Sequence, residues 1–484
     1  MDLFLSSALV VVVVFGVISC ISFIFINLQT KKIKPNGNGG LPPGRTGWPI
    51  IGESLNFVSA GKDGEPERFV RERMKNYSPD VFKTSISGEK VACFCGVAGN
   101  KFVFSNENKA LTTWWPSQIS KILISKGSSM GDNKKMRDSV SQFLRPEAIK
   151  YYVPIMDDRI KKFMVERLVT NQEINAFPIF KQITFSLSSK LFMNTEDPAL
   201  VAKLSTQFEN LMASIFSAPI NFPGTNFRRA INSANRFRKE VYPLIKQRRS
   251  EPHTSDDKRD LLSYLIAASA NQADIDEEII LKEIADTLLS VLMASHDTTS
   301  SLVSAVVYFL ADHPHVYNQV MEEQNEIKKS KHEGEMLNWG DVMKMKYSGN
   351  VVNEALRILP PAPGGFRQDN TDIIYAGFTI PKGWKIYWTV HSTHKDPKYF
   401  ENPEEFNPSR FEGKGPAPYS FVPFGVGPRM CPGSEFSRTG VLVFMHNLVT
   451  SYRFEKLAQN EKFICNPLAM PAQGLPIRLL SHDQ

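Results

Sequence analysis

Apolar and polar positions are distributed unevenly along the chain. Residues 3–30 contain no charge and 8–25 are strongly apolar, 28 uncharged positions in all. A membrane-spanning helix needs about 20. Asp2 is the only charge before this run, and Lys31, Lys32 and Lys34 follow it. A cleaved signal peptide has a shorter apolar core preceded by positive charge, so the pattern predicts one N-terminal transmembrane helix instead. The lysines place residue 1 in the lumen and the rest of the chain in the cytosol. Residues 35–40, Pro-Asn-Gly-Asn-Gly-Gly, break any helix, and Leu41-Pro42-Pro43-Gly44 is stiff and extended. The expected organisation is an anchor over 1–30, a basic and Pro/Gly hinge over 31–48, and a folded body over 49–484.

Within the body, β-like runs at 81–85 and 91–94 flank Gly88 and predict a small sheet. Residues 105–130 show little periodicity and carry Trp114-Trp115-Pro116. Helical spacing dominates 186–249 apart from the break at 218–224, with Phe208, Leu211, Met212, Ile215 and Phe216 on one face before it. Residues 276–311 run without Pro or Gly from the capping residue Asp276, with Pro314 beyond, which predicts a helix of roughly 54 Å. Its middle, 288–294, is almost wholly apolar before Ser295-His296-Asp297-Thr298-Thr299-Ser300 interrupts. Polar groups on a buried helix must be satisfied or used. Taken alone, they read as a threonine bonded back to its own helix beside an aspartate paired elsewhere. His296 reads as structural, because a helix neighbour points about 100° away from Asp297. Further on, 373–375, 378–380 and 386–390 read as hairpin strands turning at Ala376-Gly377 and Pro381-Lys382-Gly383. Apolar spacing after Gly433, from Phe436 to Val449, predicts a last helix. The fold class is mainly α with a smaller β-rich part.

Composition narrows the function. The chain is 42% hydrophobic with 33 Phe, enough for a large core and an apolar cavity. The net charge of +7 is spread out with no basic–aromatic array, which argues against nucleic acid and leaves an acidic protein partner or an anionic membrane surface. Five scattered cysteines do not form a disulfide framework, so the body faces a reducing compartment. On that side of the membrane the sequon at Asn76 goes unused.

Candidate chemistry centres on 424–433, Phe-Gly-Val-Gly-Pro-Arg-Met-Cys-Pro-Gly. Two glycines and a proline hold a turn that allows close approach to something flat. Cys431 lies just before a helix N-terminus, where the dipole favours a thiolate. A thiolate on a Gly-rich turn is what a haem iron needs as an axial ligand. Cys93, Cys95 and Cys465 read instead as small buried hydrophobes.

The run Phe424-x-x-Gly427-x-Arg429-x-Cys431-x-Gly433 resembles the haem-binding signature of the cytochrome P450 monooxygenases. The resemblance implies a cytochrome P450-type fold and a haem b ligated through iron by Cys431, with Phe424 beside the thiolate and Gly433 closing the turn. Arg429 and Arg137 would pair with haem propionates, in keeping with the guanidinium's fork of donors. Asn133 stands where the family usually has Trp. Residues 294–299 resemble the family's Ala/Gly-Gly-x-Asp/Glu-Thr-Thr/Ser, which makes Thr298 the oxygen-activating hydroxyl and Asp297 the relay acid; Ser295 replaces the usual Gly. Glu354 and Arg357 share a helix face. The family sets Arg410 against them, a structural network that would cost about 3–5 kcal/mol to break if buried.

Finer texture is similar to plant enzymes that oxidise triterpenoids: Trp48-Pro49-Ile50-Ile51-Gly52-Glu53, Ala294-Ser295-His296-Asp297 and Pro428–Gly433. Val426 and Ser437 depart from that subgroup's Gly and Ala. The resemblance implies hydroxylation of an unactivated C–H bond on a β-amyrin, lupeol or dammarane-type skeleton, extending to successive oxidation of the C-28 methyl. It also implies O2, electrons from an NADPH–cytochrome P450 reductase, and a single-pass setting in endoplasmic reticulum membrane lipid. A diterpenoid or steroid hormone substrate stays open. A haem-thiolate peroxide isomerase or dehydratase would need neither O2 nor a relay such as Asp297 and Thr298. A haem sensor or carrier would leave anchor, relay and apolar pocket without a use.

Overall fold

The computed structural model describes residues 16, 20, 39–49, 51–126, 128, 134–168, 172–251, 260–270 and 276–482. Among them no helix is long and apolar enough to cross a membrane. The predicted anchor over 1–30 falls outside the described residues except at 16 and 20. The chain divides into two compact units.

The first unit takes the described parts of Met1–Trp114 with Pro363–Tyr399 and Ala417–Arg429. It holds a five-stranded sheet in the order Val81–Ile86, Glu89–Phe94, Lys385–Thr389, Gly364–Asp369, Leu111–Thr113. The predicted β-runs form its first hairpin, turned by Ser87 and Gly88, both at positive φ, as a tight two-residue turn demands. Ile373–Tyr375 and Phe378–Ile380 pair as expected, but the third predicted strand does not join them. Lys385–Thr389 pairs parallel with Glu89–Phe94 and antiparallel with Gly364–Asp369. All five of its residues are buried, a pattern that a central strand covered on both faces satisfies and a lone hairpin cannot. The end of the predicted hinge is tied to this sheet, because Lys83 N–H donates to Pro43 O at 2.8 Å. Gly44 has φ +136°, and a Cβ there would stand 2.1 Å from Lys83 O.

The second unit, Trp115–Ala362, Phe400–Pro416 and Met430–Gln484, is mostly helical. Its long helix is Glu277–Asp312, within a residue of expectation, and Asp276 caps it by accepting the Glu278 N–H at 2.9 Å. It packs against Ala176–Met193, Asn226–Ser250 and Lys346–Ile358. Three helices, not two, cover the region read from 186 to 249. Asn194, left-handed at φ 47°, ends Ala176–Met193, and Asp197 caps Pro198–Met212 through the Ala199 N–H. The aperiodic region 105–130 contains the helix Ser117–Leu123, too short for a period to register. A buried pair fastens its end: Arg238 Nε meets Asp286 Oδ1 at 2.6 Å, and Asp286 also accepts the Ser125 N–H at 2.7 Å. Both charges are thereby partnered, as burial requires.

Candidate active site

The turn around Cys431 is built from glycine geometry. Gly425 and Gly427 have φ of 68° and 85°, in the left-handed region that favours glycine. A Cβ on Gly427 would also crowd Phe104 O at 3.1 Å. Val426 packs against the core that holds Phe104 and Trp388, which accommodates its departure from Gly. Phe424 is half-buried. The backbone N–H of Arg429 donates to Glu107 Oε2 at 2.9 Å, and Glu107 is itself held by Arg367 Nε at 2.8 Å. Sequence reasoning missed Glu107 and Arg367, since neither lies in a motif. Arg429 Nε donates to Asn108 Oδ1 at 2.8 Å, and its terminal nitrogens find no partner among the described residues.

Cys431 is exposed and lies three residues before the helix Ser434–Val449, for which Gly433 is the N-cap. The expected balance towards thiolate is reversed in the protein by itself. Desolvation by the surrounding chain raises the thiol above its ordinary range, and the Gly433 N–H opposes this only in part. Bound iron would invert that balance, because a coordinating thiol is deprotonated outright. A Cβ on Gly433 would meet only Cys431 Sγ, at 3.9 Å. Arg137 lies on Lys134–Phe143, exposed, with no partner for its guanidinium among the described residues, and Asn133 is not described.

On the long helix, Thr298 Oγ1 donates to Ala294 O at 2.6 Å, the back-bonded arrangement foreseen from the residues alone. Ser295 donates to Leu292 O at 3.2 Å and sits 3.3 Å from Ser188 Oγ. Asp297 is paired in an unexpected way. His296 Nδ1 lies 2.6 Å from its Oδ1, and Lys181 Nζ lies 3.1 Å from the same oxygen. The helical angle between neighbours was a poor guide, since a histidine ring reaches sideways to a short acid beside it. His296 also meets the Phe208 ring edge-on at 5.0 Å. Burial would raise the Asp297 carboxyl, but the His296 bond and the His296 and Lys181 charges outweigh it and hold the group below its usual range.

The third constellation brings Glu354, Arg357 and Arg410 within reach of one another. Arg357 grips Glu354 with two bonds, Nε to Oε2 at 2.7 Å and Nη2 to Oε1 at 2.8 Å, both side chains wholly buried. Arg410 Nε stands 3.3 Å from Glu354 Oε1, near enough for charge attraction but not aligned for a hydrogen bond. Glu354 accepts the Asn407 N–H at 2.9 Å, and Arg357 donates to Pro403 O and Glu405 O. The network staples the helix Lys346–Ile358 to the segment 402–411.

These residues fit a haem. Cys431 presents a single accessible sulfur, the kind of axial ligand that a haem iron takes from a protein. The thiol is accessible, and two guanidinium groups have terminal donors free for carboxylates.

Comparison with known proteins gives the same direction. The family model described as Cytochrome P450 matches residues 42–478. The chain is 51% identical over 479 residues to a protopanaxadiol 6-hydroxylase of Panax ginseng, covering 99% of each. It is 48% identical to a beta-amyrin 28-monooxygenase of Vitis vinifera, covering 91% of this chain and 92% of that one. Among solved structures, the retinoic acid-bound cyanobacterial CYP120A1 matches with a TM-score of 0.80 at 29% identity, over 91% of this chain and 99% of that one.

Proposed function

The chain belongs to the cytochrome P450 family, and on that premise we propose that it is a haem-thiolate monooxygenase hydroxylating an unactivated C–H bond of a triterpenoid. The observation that carries this reading is identity of 45–51% over nearly the whole chain to relatives named as protopanaxadiol and beta-amyrin hydroxylases or monooxygenases. Those names cite positions 28 and 6, so the oxidised carbon is the variable feature of the group.

Cys431 supplies the axial thiolate; Arg429 and Arg137 take the propionates. Support comes from the exposed sulfur and from the free guanidinium termini. When bound, the haem supplies the oxygen chemistry: C–H, O2, two electrons and two protons give C–OH and water. The protein's own part is placement and proton traffic. Thr298 gives its hydroxyl proton to Ala294 O, which leaves the Oγ1 lone pairs open to accept a hydrogen bond. Asp297 Oδ1 passes protons inward, and Lys181, partly exposed, connects it to solvent. Glu354, Arg357 and Arg410 hold the loop that precedes Cys431 in shape.

The electrons come from an NADPH–cytochrome P450 reductase. Residues 1–30 anchor the protein in the endoplasmic reticulum membrane with a luminal N-terminus, residues 31–48 form the hinge, and 49–484 form the cytosolic catalytic domain. Exposed Trp48, Ile51 and Leu55 in one unit, and Ile220 and Phe222 in the other, support contact with lipid or with an apolar substrate arriving from it.

The test is a microsomal assay of this chain with a reductase and a panel of β-amyrin, lupeol and protopanaxadiol, read by mass spectrometry. Products one oxygen heavier, dependent on NADPH and O2, are expected. An intact thiolate-type carbon monoxide spectrum with no triterpene turned over would overturn the substrate class. A Cys431→Ala protein that keeps that spectrum would overturn the ligand.

A further inference from the structure

The helix Ser434–Val449 carries one glycine in its interior, Gly440, and that glycine is buried. A Cβ built on it would meet no atom within 4 Å. A helix-interior glycine costs about 0.8–1.0 kcal/mol relative to alanine, and alanine would fit here without a clash. Close-packed interiors rarely leave such space. The missing methyl opens onto a cavity of about 30 Å³ walled by the long helix, Ala176–Met193 and Pro146–Arg167 as well. Leu187, Val303 and Phe444 are among its apolar walls, while Ser295 and Thr299 reach it from the long helix. The hydroxyls at its edge are turned on their neighbours: Thr184 on Phe180 O, Ser295 on Leu292 O, Ser188 on Ser295, and Thr299 with Ser437.

Size and chemistry select the occupant. One water needs about 10–15 Å³ and two to four polar partners, whereas apolar cavities stay dry and take apolar guests such as xenon or, near 150 Å³, benzene. This space exceeds what one water needs, is too small for a ring, and its walls are mainly hydrocarbon. It suits a diatomic or monatomic apolar gas. We infer that the cavity beside Gly440 is a binding site for a small apolar gas, dioxygen in use, placed against the turn of the long helix that carries Asp297 and Thr298. Gas binding stands by itself; its use as a dioxygen store feeding the reaction rests on the monooxygenase reading.

Crystals of the haem-loaded protein pressurised with xenon test it. Xenon density is expected between Gly440 and Thr299, and no ordered water is expected there in gas-free crystals. Gly440→Ala, which puts a methyl in the space, should lose the xenon peak and raise the melting temperature. Val303→Ile fills the same space from the long helix and should also lose the peak, which keeps the inference testable if the first variant folds poorly. A hydrogen-bonded water in the gas-free cavity, or a xenon peak unchanged in both variants, would overturn the site. The store is then tested by the O2 concentration that half-saturates turnover, expected to rise in Gly440→Ala. An unchanged value with the xenon peak lost rejects the store and leaves the gas site. Xenon binding in a protein that turns over no triterpene rejects the substrate reading alone.

Discussion

Removing Glu354 offers the sharpest test of how the second unit is held together. Its two oxygens receive both arms of Arg357 and the Asn407 N–H, with the Arg410 charge 3.3 Å away. Glu354→Leu would leave Arg357, wholly buried, as an uncompensated cation, which costs about 3–5 kcal/mol. Orphaning the Asn407 N–H adds about 1–3 kcal/mol where it stays dry. A combined loss of about 4–8 kcal/mol is a large share of the roughly 5–15 kcal/mol that stabilises a folded protein. Arg410→Leu should cost far less, since Arg410 Nε makes no aligned bond and its Nη2 donates to Asn402 O at 2.9 Å. The double replacement Glu354→Leu with Arg357→Leu should recover much of the loss, because a well-packed apolar pair needs no partner charge. Guanidinium denaturation of the haem-loaded proteins, followed by far-UV circular dichroism and by haem absorbance, gives the comparison. Equal losses for Glu354→Leu and Arg410→Leu, or a double variant no better than the single, would refute the view that burial of an unpaired Arg357 sets the cost.

Two further outcomes follow from single sites. Thr298→Ala should keep the thiolate-type spectrum but send more NADPH to hydrogen peroxide per product formed, and unchanged coupling would remove Thr298 from the relay. Asp369 lies buried without an aligned hydrogen bond, and burial lifts its carboxyl to about 6 from 3.8. The folded state therefore binds the extra proton between those values, so stability is higher below pH 4 and falls as pH rises towards 6. After discounting for partial solvent screening, Asp369→Asn should add about 1–2 kcal/mol at pH 7 and flatten that slope, as urea titrations at several pH values would reveal.

Local rules carried much of the fold in advance. A capping aspartate, an unbroken run of helix formers and a proline beyond it are enough to delimit a helix, and Glu277–Asp312 ends within a residue of that reading. Two glycines and a cysteine at fixed spacing were enough to locate the turn at 424–433. Between elements, local rules fall silent. Nothing near Lys385 in sequence says that its strand will lie parallel to Glu89–Phe94, because the pairing is decided by which buried faces remain to be covered. Glu107 and Arg367, 260 residues apart, had no motif to mark them.

The long helix shows the division most clearly. Its order of residues alone determined that Asp297 and Thr298 would interrupt an apolar helix, and that Thr298 could bond back to Ala294. Only the tertiary structure decided that Lys181, from another helix, would hold Asp297, that Ser295 would turn to Ser188, and that the space beside Gly440 would stay open. The reason is physical: backbone hydrogen bonding and capping act over a few residues and leave a period to read, whereas ion pairs and voids depend on side chains brought together from distant parts of the chain.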